Sequence, residues 1–144
     1  MWRTRDDRLE VLLVHPGGPF WKKRDDGAWS IPKGEVESGE NPIDVARREF
    51  REELGHEPPD SEFGPLGTVR QSGGKTVHAW AAAGDYDVGT ITSMTFEVEW
   101  PPRSGRLATF PEVDRAAWFD LQTARRKINE AQRAFIDRLE GAFT

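Results

Sequence analysis

Apolar positions along this chain fall into short runs broken by turn residues, with one stretch of clear helical period between them. "RLEVLLVH" (Arg8–His15) is a compact, partly β-branched run that predicts a buried strand. "PGGPFWKKRDDG" is loop by its Pro, Gly and Asp content, and "AWSIPKGEVESGE" reads as a short strand interrupted by turns. In the helical stretch, Ile43, Ala46, Phe50 and Leu54 recur at spacings of three, four and four, a stripe expected to face a core. Asn41 suits its N-cap, Pro42 its first position and Gly55 its stop, and "EPPD" beyond forbids continuation. "FGPLGTVRQ", "KTVHAWAAAG", "TSMTFEVEW" and "AAWFDL" are further expected strands, with "PPRSG" as a turn. "EAQRAFIDRL", with Asn129 as cap, predicts a closing helix, and the basic "ARRKINEAQR" a solvated helix surface. Strands on both sides of an embedded helix, with another helix at the end, predict a mixed α/β sandwich.

The helix carries an oddity that periodicity does not explain. Glu49, Glu52 and Glu53 are spaced i, i+3 and i+4, which places three carboxylates within about 100° of one another. Like charges at that spacing repel, and the negative end of the helix dipole disfavours them further. Two readings stand: a solvated acidic face offset by Arg47, Arg48 and Arg51, or a face completed by a divalent cation.

Composition narrows the field of functions. The 144 residues suit one domain, here taken as residues 1–144, with 36% hydrophobic and 31% charged residues, six Trp and eight Phe. A formal charge of −5 argues against general duplex nucleic-acid binding, which depends on Lys and Arg neutralising phosphates. Without cysteine there is no disulfide, thiol nucleophile or thiolate metal site. No apolar run is long enough to span a bilayer, and "MWRTRDDRLE" has no apolar signal core, so the expectation is a soluble cytoplasmic protein away from membranes.

From Gly34 the chain runs "GEVESGENPIDVARREFREELGH". This resembles the Nudix box, G-x5-E-x7-R-E-U-x-E-E-x-G-U, where U is a bulky apolar residue. Every fixed position matches: Gly34, Glu40, Arg48, Glu49, Glu52, Glu53 and Gly55. At ordinary residue usage a chance match at one start is on the order of 10⁻⁸. His56 departs from the pattern, since the family prefers Ile, Leu or Val there. "WSIPKG" is similar to the W-x-x-P-K-G lead-in of some Nudix enzymes, and "PEVDRAAWFDL" to the family's late segment. The likeness covers the chain from about Arg8 onward, leaving only Met1 to Arg3 for the strand with which Nudix domains open.

The resemblance implies an α/β/α sandwich with a mixed sheet, in which the box helix carries a metal site. It implies hydrolysis of a nucleoside diphosphate linked to another group, with Mg²⁺ as the cation and Mn²⁺ as its substitute. Glu52 and Glu53 are then the principal ligands, Glu49 a ligand or general base, and the Lys33 carbonyl a backbone ligand. Arg48 orients a neighbouring carboxylate, and Gly34, Glu40 and Gly55 support the box. Glu112 matches the region that supplies a late catalytic glutamate in some relatives, with Glu97 and Glu99 behind it. Lys33, Trp29 and Arg70 are the substrate candidates, with Lys22, Lys23, Phe20, Trp21 and Trp80 behind them. His78, on an alternating strand, reads as a packed histidine.

Markers of two substrate subfamilies are absent: Gln71 stands where the ADP-ribose type has Pro, and Ser72 to Gly74 where one dinucleoside polyphosphate lineage has Tyr. The lead-in is similar to that of diadenosine tetraphosphate hydrolases of another lineage. A small-molecule nucleoside polyphosphate such as diadenosine tetraphosphate is therefore the expected substrate, with a nucleoside triphosphate as the close alternative, in a monomer or homodimer. The alternative is a module that senses nucleotides or RNA ends without turnover.

Overall fold

The computed structural model describes residues 1–34 and 36–143. A first hairpin pairs β1 (Trp2–Arg5) with β2 (Arg8–Pro16) through Asp6 and Asp7, both at positive φ as a tight two-residue turn requires. The opening strand is therefore present but short. β2 then pairs antiparallel with β7 (Val113–Asp120), giving the order β1-β2-β7.

Burial along β2 explains its unbroken apolar run. Val11 and Leu13 point into one cluster, with Trp29, Leu121, Ala124, Ile128, Ile136 and Leu139. Leu12 and Val14 point into another, with Phe50, Leu54, Tyr86, Val113 and Ala116. A strand covered on both faces needs apolar residues at successive positions rather than alternate ones. The first cluster lies under α2 (Leu121–Lys127) and α3 (Arg133–Gly141), and the second under α1 (Pro42–Leu54). This is the expected three-layer arrangement. β3 (Gly64–Arg70) and β4 (Thr76–Ala81) form a hairpin, packed through Val77 and Ala79 on Phe135 of α3. β5 (Thr95–Glu99) and β6 (Leu107–Pro111) form another. Pairings between these strands are all antiparallel, and the parallel part of the expected mixed sheet is confined to single bridges, Trp2 with Ala83 and Trp29 with Ile128.

The expected helix is α1. Asn41 Oδ1 accepts the Ile43 N–H at 3.3 Å, Pro42 opens the helix, and Gly55 closes it at φ 78°. The buried set differs from the expected stripe: Val45, Phe50 and Leu54 are buried, while Ile43 and Ala46 are half-buried. Val45 precedes Glu49 by one turn, so α1 is buried beside its acidic face as well. Periodicity alone sees only the sheet-facing side. β6 was not expected, and the helix surface expected over residues 124–133 is divided between the last turn of α2, a 3-10 turn and the first residue of α3. The closing helix begins at Arg133, after a 3-10 turn over Glu130–Gln132 that Asn129 caps. Among the described residues no helix is long and apolar enough to cross a membrane.

Candidate active site

α1 and the loop before it are held together by the box residues themselves. Glu53 Oε2 accepts the backbone N–H of Lys33 at 3.1 Å. Arg48 donates to Glu40 Oε2 at 2.8 Å, and Glu40 Oε1 accepts the Glu37 N–H at 2.9 Å, so one carboxylate joins the helix to the loop turn. This partnership holds the Glu40 carboxyl below its ordinary value. The same guanidinium lies 3.8 Å from Glu49 Oε1 and 4.0 Å from Glu52 Oε1. Gly34 passes so close to Glu49 that a Cβ at position 34 would collide with its carboxylate.

Glu112 joins this face from the other end of the chain. Met94 links the two: its N–H donates to the Glu52 carbonyl and its carbonyl accepts the Glu112 N–H, both at 2.8 Å. Electrostatics record the crowding. Burial pushes Glu53 up to about 8, the Glu49 charge adding to it and the Lys33 N–H opposing it. Burial and the charge of Glu52 raise both Glu49 and Glu112. Glu53, Glu112 and Lys33 line one cleft of about 680 Å³, together with Trp21 and the Gln71–Ser72 turn.

The carboxylate oxygens gathered here suit a hard divalent cation, and among the described residues lining the cleft there is no cysteine or histidine. These half-buried carboxylates repel one another, and among the described residues only Arg48 and Lys33 oppose that charge, so a cation would supply a further partner. Among the described residues no three carboxylate or imidazole groups already stand as a closed metal cluster. With Arg48 bridging Glu49 and Glu52, binding would require these side chains to turn inward.

Other sequence candidates separate clearly. Trp29 is a core residue, 4% exposed, its Nε1 donating to Asp25 at 2.7 Å and its ring edge-on to His15 and Phe119. It has no free face for a base, because the bridge to Val14 through Ser30 draws this segment into the sandwich. Arg70 is exposed at the end of β3 and does not line the cleft. Glu97 and Glu99 are exposed on β5, with Phe96 and Val98 turned the other way. Trp80 stacks beside His78 at 6.4 Å, on the side of β4 opposite Val77 and Ala79. His56 binds Thr90, accepting from its hydroxyl or donating to its carbonyl, and meets Tyr86 edge-on, so the atypical box residue fastens the helix end to the 3-10 turn over Val88–Thr90.

Two buried polar residues near the cleft had no distinguishing signal in the sequence. His15 sits at the end of the apolar run of β2, its Nδ1 2.8 Å from Asp114 and its Nε2 2.6 Å from the Arg24 carbonyl. Gln132 accepts the Ile31 N–H and donates to Ser30 and Gln71, tying the lead-in segment to the β3–β4 turn.

The NUDIX domain family model matches residues 1–139. This chain belongs to the Nudix family. Over 53 residues it is 40% identical to an RNA pyrophosphohydrolase of Francisella tularensis, covering 36% of this chain and 34% of that protein. The match thus spans about a third of the length of that relative. The fold is similar to a Caenorhabditis elegans Ap4A hydrolase binary complex, with TM-score 0.67 and 22% identity over 99% of this chain and 92% of the other. It is also similar to the Nudix domain of Shewanella oneidensis NrtR complexed with ADP ribose, with TM-score 0.65 and 19% identity over 99% and 83%. At those identities the solved structures speak to fold. Nudix hydrolases generally use a divalent metal such as Mg²⁺.

Proposed function

We propose that this Nudix chain hydrolyses a pyrophosphate bond in a nucleoside diphosphate linked to a further group, with a nucleoside polyphosphate as substrate. The observation that carries this reading is the meeting of Glu112 with Glu53 and Lys33 in one cleft, with Met94 joining Glu112 to Glu52 on the acidic helix. A divalent ion bound by Glu49, Glu52, Glu53 and the Lys33 carbonyl would polarise the phosphoryl oxygens and neutralise charge on the substrate. Arg48, anchored by Glu40, keeps Glu49 and Glu52 oriented by charge-assisted contacts. Glu112, its affinity for a proton raised by burial and by Glu52, accepts the proton of the attacking water, with Glu49 as the other candidate. The Lys33 ammonium pairs with a substrate phosphate. Residues 1–144 act as one domain, soluble in the cytoplasm, as monomer or homodimer.

The RNA pyrophosphohydrolase and Ap4A hydrolase relatives both fit a polyphosphate substrate. The test is product analysis by anion-exchange chromatography after incubation with diadenosine tetraphosphate, nucleoside triphosphates, ADP-ribose and a 5′-triphosphorylated RNA, with and without Mg²⁺. Mg²⁺-dependent cleavage of a polyphosphate above the other compounds is expected. Binding without any product would favour a sensing module instead.

A further inference from the structure

The loop from Gly17 to Arg24 combines exposed rings with exposed cations beside the cleft. Phe20 is 60% and Trp21 38% exposed, and Lys22, Lys23 and Arg24 follow directly, all exposed. Among the described residues no carboxylate pairs with these three cations, whereas the next residues, Asp25 and Asp26, are engaged by Lys127 and Arg126.

This is a held segment rather than a loose charged turn. His15 is fully buried, and its Nε2 donates to the Arg24 carbonyl at 2.6 Å while Nδ1 meets Asp114 at 2.8 Å. At the other end of the loop, the Gly17 N–H donates to the carbonyl of Glu112 at 2.9 Å. Phe96 lies against Gly18. Phe20 meets Trp100 edge-on at 5.5 Å. Trp100 leads into the β5–β6 turn, where Arg103 and Arg106 are exposed and also lack a carboxylate partner among the described residues. Strand alternation turns Glu97 and Glu99 to the opposite face from Phe96, so they do not neutralise this one.

Trp21 lines the cleft with Glu53, Lys33 and Glu112, so the surface begins at the reacting end and continues through Phe20 and Trp100 to the two arginines. Arg24 lies over the Trp21 ring at 5.4 Å and occupies one of its faces, while Lys22 and Lys23 stand beside it without a carboxylate among the described residues. Cations interleaved with exposed rings form the pattern that binds single-stranded nucleic acid, phosphates on the cations and bases on the rings. A duplex offers no free base faces, and a mononucleotide offers one base to a surface with rings in succession. We propose that this ledge is a subsite for the leading nucleotides of a single-stranded, 5′-polyphosphorylated oligonucleotide whose terminal phosphates occupy the cleft. The proposal rests on the reading of the cleft given above and names its substrate class.

The test compares kcat/KM in Mg²⁺ for 5′-triphosphorylated oligoribonucleotides of one, two, four and eight nucleotides. A gain of about tenfold or more from one to four nucleotides is expected, as one stacked base alone supplies that much. The double variant Arg103→Ser, Arg106→Ser should lose much of the gain while hydrolysing the mononucleotide triphosphate as before. Anisotropy of a labelled triphosphorylated octamer without added metal gives an independent readout. Its affinity should fall with salt, with a log–log slope of about −0.7 per phosphate contacted, and the double variant should flatten that slope. Equal kcat/KM at every length, an unchanged gain in the double variant, or preference for diadenosine tetraphosphate over the tetramer would overturn the proposal. If no substrate is cleaved at all, the hydrolase reading fails, and the anisotropy still decides the ledge.

Discussion

The backbone N–H of Lys33 donates to Glu53 Oε2 at 3.1 Å, which ties the residue before Gly34 to the last turn of α1. The loop thereby brings a lysine ammonium toward the acidic helix face, and one of the most crowded carboxylates receives a hydrogen bond it needs. Position in this site is set by the backbone as much as by side-chain charge.

Gly34 is the position where that closeness is least forgiving. Alanine there would strike the Glu49 carboxylate and push either the helix face or the loop aside. Gly34→Ala is expected to destabilise the fold by about 1–3 kcal/mol, the usual cost of overpacking. It should lower kcat/KM by about 100-fold, since displacements near 1 Å at a reacting centre have that effect. Thermal melts and steady-state rates on the same preparation check both.

Arg48 reaches Glu40, Glu49 and Glu52 with one planar fork, which lysine does not reproduce. Arg48→Ala should reduce kcat/KM by about 10–100-fold, the range for an orienting partner of a metal ligand. Arg48→Lys should recover only part of it. A full recovery by lysine would mean that charge alone matters at this position. The Mg²⁺ concentration for half-maximal rate should rise in both variants.

Glu53 links stability to pH. Its folded value is raised from 4.5 to about 8, so between those limits the folded state binds more protons than the unfolded one. Its contribution is therefore favourable at low pH and is lost as pH rises through that window. The metal-free protein should melt at progressively lower temperature from pH 5 to pH 8, and Glu53→Gln should remove much of that slope. Added Mg²⁺ should restore stability at pH 8 in wild type more than in the variant.

Trp29 belongs to the core and not to the substrate. Trp29→Phe loses the Nε1 bond to Asp25 and part of the contact with His15 and Phe119. A loss of about 1–3 kcal/mol is expected in chemical denaturation. The KM for a nucleoside triphosphate should change by less than about twofold, as removing a base-stacking contact would raise it further.

The box helix was legible in the sequence because its signals are local: an Asn–Pro start, a Gly stop and carboxylates at helical spacing. β2 was legible because it is apolar at consecutive positions. The β6 strand was hidden because only Ala108 and Phe110 turn inward beside its exposed Leu107 and Thr109, too little alternation to stand out in so short a segment. Only the basic last turn of α2 was legible, its Arg125 and Lys127 finding carboxylates distant in sequence, because Leu121 continues the apolar run of β7. Trp29 was misplaced because aromatic character does not distinguish a ring in a core from one in a cleft. His15 and Gln132 gave no sign because their partners come from other segments. Glu112 was reached through the family pattern, and its link to Glu52 through Met94 is visible only in three dimensions.

Whether the acidic face of α1 drives metal-dependent hydrolysis is decided by the Mg²⁺ dependence of nucleoside triphosphate cleavage in wild type and Glu53→Gln. Wild type should show no cleavage in chelator and saturable activation by Mg²⁺. Glu53→Gln should keep its fold and lose at least about 100-fold in kcat, the upper end of what even an outer partner of a metal ligand contributes. Cleavage that persists in chelator, or a Glu53→Gln protein as active as wild type, would contradict the account.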